Sequence, residues 1–159
     1  MIILGIDPGT RNCGYGILEL SKRTIVAAGC DVIKVNTRLE LKERLPQVYD
    51  GLKRVLMEYQ PDAAAVETIF YGKSIRAAFA LGHVRGTILL LLSRANIPIY
   101  EYSPREVKKS VVGNGNAHKQ QIQYMLGKTL SIDLSKQSED ATDGLALALC
   151  HYNRIRLNL

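Results

Sequence analysis

Residues 1–9 read MIILGIDPG: an apolar run of Ile2, Ile3, Leu4 and Ile6 ends in one carboxylate, Asp7, before Pro8 and Gly9 break the chain. The run reads as a strand. A strand end is a rigid mount, and an acid placed on it is aimed at something, because a buried unpaired charge costs several kcal/mol. Working outward, residues 13–20 and 24–35 are two more strands rich in Ile, Val, Leu, Cys and Tyr, with Gly29 as the place for a bulge. The breaks between them, Pro-Gly-Thr and Ser-Lys-Arg, are short enough for antiparallel hairpins.

Leu45, Val48, Leu52, Val55 and Leu56 recur at helical spacing and predict a helix over 41–59. Pro46 suits a start near Glu43, where it falls in the first turn. Residues 63–67 (AAAVE) form a short strand, apolar as a buried central strand is, and end in a second acid, Glu67. A long helix over 74–95 follows. Its apolar face is widened by Ala80, Leu89 and Leu90 beyond what one sheet needs, which makes it the candidate interface for a second copy. A fifth strand spans 97–101. Ser103-Pro104 is an N-cap with proline at the first helical position, opening a helix to Val112. Helices over 118–129 and 138–156 close the chain. The order βββαβαβ, then helices, gives an α/β fold: a mixed five-stranded sheet with helices on both faces, expected as one domain over residues 1–159.

Lys and Arg number 21 against 15 Asp and Glu, a net charge of +6. Such an excess serves solubility or forms a footprint for nucleic acid, whose affinity comes largely from cations neutralising phosphates. Charge alone does not separate the two. Cys13, Cys30 and Cys150 lack CxxC spacing, so neither a disulfide framework nor a zinc site is indicated, and reduced core cysteines of a cytoplasmic protein are expected. The first strand opens at Met1, which reads as no signal peptide. The uninterrupted apolar run of residues 88–92 is too short to span a membrane.

The chemistry lies in the acids. If the strands ending at Asp7 and Glu67 are parallel neighbours, both carboxylates emerge at one sheet edge, where open α/β sheets bind ligands. Asp140 and Asp143, three residues apart in the last helix, project from nearly the same face. Read singly, Asp7 is also a turn cap, and Asp140 and Asp143 also suit a helix start. Glu67, closing a buried strand, has fewer structural excuses. Four convergent carboxylates without His or Cys make an oxygen-only site suited to Mg²⁺ or Mn²⁺. Two such ions about 3.5–4 Å apart clamp the attacking and leaving oxygens of a phosphoryl displacement.

GIDPGTRNCGYGIL at the start, VETIFYGKS after the fourth strand, LGHVRG in the long helix, and REVKKSVVGNGNAHKQQI and EDATDGLALAL near the end together resemble the RuvC family of Holliday junction resolvases. The resemblance runs nearly the whole chain in the right order. It implies a ribonuclease H-like fold, a homodimer, and Mg²⁺-dependent paired nicking of four-way DNA junctions in recombination and repair, leaving 5′-phosphate and 3′-hydroxyl ends. It carries Asp7, Glu67, Asp140 and Asp143 onto the family's metal-binding acids. It also implies a branch-migration motor as partner. For Phe70 it implies a ring that stacks on an unstacked base, a contact worth roughly 1–3 kcal/mol; Tyr71 stands beside it. Lys73 and Arg76 follow and suit phosphates, as does Arg11 in the first turn. Lys108 and Lys119 match basic positions of the family pattern, and Lys119 suits stabilisation of transition-state charge. Competing readings are a non-catalytic junction-binding module, a nuclease of the same fold acting on RNA–DNA hybrid, and an actin-like ATPase, for which the chain is short.

Overall fold

The computed structural model describes residues 1–69 and 74–157. Five strands, β1 (Ile2–Asp7), β2 (Asn12–Ser21), β3 (Thr24–Lys34), β4 (Ala63–Glu67) and β5 (Ile99–Tyr102), form one sheet in the order β3-β2-β1-β4-β5. β1 lies in the middle. It pairs antiparallel with β2 and parallel with β4, and β4 pairs parallel with β5, so the sheet is mixed as expected. The β2–β3 hairpin turns on Lys22 and Arg23, both left-handed at φ 48° and 70°. That backbone matches the twist of a two-residue hairpin, and the Tyr152 hydroxyl donates to the Arg23 carbonyl at 3.0 Å.

Among the described residues five helices cover the sheet: α1 (Leu41–Tyr59), α2 (Ile75–Arg94), α3 (Pro104–Val112), α4 (Lys119–Leu130) and α5 (Glu139–Leu157). Leu4, Ile6, Ala64 and Val66 pack toward α1 and α2, while Ile3 and Ala65 pack toward α3, α4 and α5. Strand alternation sorts the two cores, and it places Asp7 and Glu67 on the α5 side.

Three local details differ from expectation. The register shift in β3 falls opposite Glu19 and Leu20, leaving Val26 unpaired, whereas Gly29 is paired with Ile17. α1 spans 41–59 as its apolar spacing predicts, but it starts on a Glu40–Glu43 capping box rather than near Glu43, so Pro46 lies inside the helix and not in its first turn. β5 begins at Ile99, because Asn96 turns left-handed and Pro98, which offers only its carbonyl to Ala64, has no N–H for the ladder.

α5 rests on the sheet backbone to backbone. An added Cβ at Gly5 would lie 2.0 Å from the Gly144 carbonyl oxygen, at Gly14 1.7 Å from the Asp140 carbonyl oxygen, and at Gly16 2.2 Å from Leu145 Cα. A Cβ at Gly144 would in turn meet Tyr15 Cα at 2.6 Å. Four glycines thus form a seam between β1, β2 and α5. Only glycine permits such an approach.

α2 is long and apolar enough, by length and composition, to cross a bilayer. Its apolarity has another origin here. Val84, Ile88, Leu91 and Leu92 are buried in the core, while Ile75, Phe79 and Leu90 stand exposed on another face.

Candidate active site

Asp7, Glu67, Asp140 and Asp143 line a single cavity of about 320 Å³, shared with Lys108, Lys119, Pro104, Val107, Ile122, Ala146 and Leu147. Each acid arrives by a different local device. Asp7 ends the central strand, and its turn is held by Arg44, whose guanidinium donates to the Thr10 carbonyl at 3.2 Å and to the Leu39 carbonyl at 2.8 Å. Glu67 ends β4 one residue beyond the last β1–β4 pair, Ile6 with Val66. Asp140 and Asp143 occupy the first turns of α5, whose start is closed by Ser138 Oγ accepting from the Ala141 N–H at 3.3 Å. The glycine seam then sets α5 against β1 and β2, and with it both aspartates.

Burial dominates the electrostatics. It raises the Asp7 pKa to about 8, assisted by the charges of Glu67 and Asp143. The neighbouring Asp7 and Glu67 carboxyls also act on each other, pushing Asp7 up and pulling against the rise in Glu67. Burial also raises Glu67 and Asp143, and in Asp143 the hydrogen bond and charge of Lys119 oppose it. Lys119 Nζ donates to Asp143 Oδ2 and Glu139 Oε2, each at 3.1 Å. Burial works against the Lys119 charge, but these two acids outweigh it and raise its pKa.

Asn12 Nδ2 donates to Asp140 Oδ2 at 3.1 Å. Asp143 leans on Lys119 and Asp140 on Asn12, so among the described residues no three His, Cys, Asp or Glu side chains already converge tightly enough to hold an ion. The cavity gathers the acids without closing them into a finished cage. The donor set still fits a hard divalent cation, since it is all oxygen and holds more negative charge than its burial tolerates.

Of the basic residues, Lys108 and Lys119 join the acids in the cavity. Arg11 is exposed in the turn after β1 and Arg76 is exposed in the first turn of α2, and neither lines the cavity. Phe70, Tyr71 and Lys73 lie outside the described residues. Asn12 and the four seam glycines were not singled out from sequence. The GYG of β2 was the available sign, since glycines at period two on one strand face mark a close neighbour. Asn12 had no such sign, because only the fold brings it to Asp140.

The model of the family Crossover junction endodeoxyribonuclease RuvC matches residues 3–151. The chain belongs to the RuvC family. The RuvC of Chloroherpeton thalassium is 44% identical over 150 residues, covering 94% of this chain and 81% of that one. The RuvC of Syntrophomonas wolfei is 42% identical over 158 residues, covering 99% and 92%. Among solved structures, T. thermophilus RuvC in complex with a Holliday junction substrate superposes with a TM-score of 0.89 at 28% identity, covering 99% of this chain and 96% of that chain. The RuvC fold is ribonuclease H-like, as the resemblance implies, and the mixed five-stranded sheet is the one the order of elements predicts. As a RuvC protein the chain is an endodeoxyribonuclease.

Proposed function

We propose that this chain resolves four-way DNA junctions by hydrolysing one phosphodiester in each of two symmetry-related strands, with Asp7, Glu67, Asp140 and Asp143 as its catalytic, metal-binding acids. The reading rests on one observation above the others. Four carboxylates from three separate elements line a single cavity together with two lysines. A protein that only binds phosphate has no use for acids where the phosphate must sit.

Asp7 stands on the central strand and feels the charges of all three other acids, which suits it to a bridging place among them. Bound to these carboxylates, Mg²⁺, two ions per site on this reading and replaceable by Mn²⁺, would lower the pKa of the attacking water and neutralise the leaving 3′ oxygen. The cavity walls, Val107, Ile122, Ala146 and Leu147, limit water around the reacting phosphate. Lys108 and Lys119 hold its oxygens, and Lys119 adds charge where negative charge grows in the transition state. The products are 5′-phosphate and 3′-hydroxyl ends.

Paired nicks need two sites related by a two-fold axis. The exposed Ile75, Phe79 and Leu90 of α2, beside an open groove of about 710 Å³, suit a second copy as occupant. Arg11, Arg76, Lys73, Phe70 and Tyr71 are assigned to the junction arms and opened bases on sequence grounds. A branch-migration motor is the further partner that family membership implies, and the cytoplasm is the compartment that DNA substrate and free cysteines suit. Residues 1–159 act as one nuclease domain on this reading.

The test presents the purified protein with a four-way junction, plain duplex and RNA–DNA hybrid, with and without Mg²⁺. Paired junction nicks that need Mg²⁺ are expected. Cleavage of hybrid alone, or junction binding without cleavage, refutes the reading.

A further inference from the structure

Arg85 stands midway along α2, among apolar neighbours, with its side chain 17% exposed. Its Nε donates to the main-chain carbonyl of Glu67 at 3.0 Å. Its terminal nitrogen pairs with the carboxylate of Glu101 on β5. Glu101 is in register with Val66, whose side chain belongs to the α1 and α2 core. Alternation along β4 then turns the Glu67 carboxylate to the opposite face, where it lines the acid cavity. The guanidinium thus grips the sheet from the α2 side at the residue whose carboxylate opens on the α5 side. Glu67 lies beyond the last residue of β4 paired to β1, so on that flank the sheet no longer holds it.

We infer that Arg85 is a positioning residue for cleavage: by holding the Glu67 carbonyl it fixes the end of β4, and so the direction from which the Glu67 carboxylate meets Asp7. The inference rests on the reading of Glu67 as a site acid. A guanidinium suits the task because its planar fork serves a carbonyl and a carboxylate together, which one ammonium does not. Catalytic groups must be held within about 0.5 Å of productive geometry, and a misplacement of about 1 Å can cost on the order of 10²-fold in rate. A helix that carries the proposed interface therefore also sets the angle of a site carboxylate.

The test compares Arg85→Gln, Arg85→Lys and Glu101→Gln. Four quantities are read: single-turnover cleavage at saturating junction, junction affinity in Ca²⁺, Mn²⁺ binding by electron paramagnetic resonance, and melting temperature. Arg85→Gln is expected to slow cleavage by about 10–100-fold and to weaken Mn²⁺ binding, with junction affinity unchanged. Arg85→Lys, which keeps the charge and one donor, restores part of the rate. Glu101→Gln, which spares the bond to Glu67, loses least.

Wild-type rate and Mn²⁺ affinity in Arg85→Gln overturn the inference. So does a rate loss that follows melting temperature across the three variants while Mn²⁺ affinity stays constant, since that assigns Arg85 to stability alone. If Arg85→Gln does not fold, the other two variants carry the same comparison. Glu67→Gln is run in parallel. If it cleaves normally, the reading of the acid fails; if it is inactive while Arg85→Gln is normal, only the positioning role fails.

Discussion

Lys119 Nζ and Asp143 Oδ2 lie 3.1 Å apart, a contact that joins the first turn of α4 to α5 across the acid cavity. Burial makes the Asp143 carboxylate reluctant to ionise, and Lys119 is the charge that offsets this. Lys119→Ala therefore leaves Asp143 harder to deprotonate. The acidic limb of the cleavage pH profile should move to higher pH, and the plateau rate should fall on the order of 10²-fold. A pH–rate series on both proteins measures each effect. An unmoved acidic limb would show that Asp143 owes nothing to this ammonium.

Asp7→Asn should abolish cleavage while keeping junction affinity, as read by gel shift in Ca²⁺ and product assay in Mg²⁺. The same substitution has a consequence for stability. The folded state raises the Asp7 pKa from 3.8 to about 8, so between those values the folded protein holds a proton that the unfolded chain has released. Stability of the chelator-treated protein thus falls as pH rises through that window. Asp7→Asn should flatten that fall, with the largest gain in melting temperature at its alkaline end.

The glycine seam predicts a contrast within one sheet. Gly14→Ala places a Cβ 1.7 Å from the Asp140 carbonyl oxygen, where only backbone can give way. A loss of about 2–3 kcal/mol is expected, together with loss of cleavage because Asp140 and Asp143 shift with α5. At Gly29 an added Cβ meets nothing within 4 Å, so Gly29→Ala should stay within about 0.5 kcal/mol. Urea unfolding of both variants makes the comparison.

Asn12→Ala removes the donor that orients Asp140 from the neighbouring strand. Cleavage should drop about tenfold, and half-saturating Mg²⁺ should rise, because an outer hydrogen-bond partner of a metal-binding acid commonly carries an effect of about 10–100-fold. A Mg²⁺ titration of the cleavage rate checks it. An unchanged titration would leave Asn12 as a surface contact only.

Phe79 is 67% exposed on α2. Phe79→Glu should leave the fold and its melting temperature intact while weakening self-association at least about tenfold, as removal of an aromatic anchor does. Sedimentation velocity across a concentration series reads this directly. An unaltered association state would move the interface off this helix.

The architecture was legible because each strand and helix carries its own period and its own break. Ser103-Pro104 and the apolar run before Asp7 needed no tertiary information, and β1 could be placed centrally from the hairpins and the helical crossover. What failed was local backbone detail. Pro46 sits inside α1 because the Glu40–Glu43 capping box starts the helix earlier than the proline alone suggests. The shift in β3 falls at Val26 rather than at the glycine, since pairing with β2 decides it. At the site, the acids announced themselves by type and placement. Asn12, Arg85 and the seam glycines did not, because their significance lies in what faces them across the fold: a carboxylate, a carbonyl and a helix backbone.

The direct seating of α5 on β1 and β2 has one more consequence. At Gly5 no side chain separates the aspartate-bearing helix from the strand that bears Asp7, so there the gap between them is gauged by main-chain thickness. The spacing of Asp7 from Asp140 and Asp143 is thereby tied to the close seating of the helix, and changes when the helix is lifted.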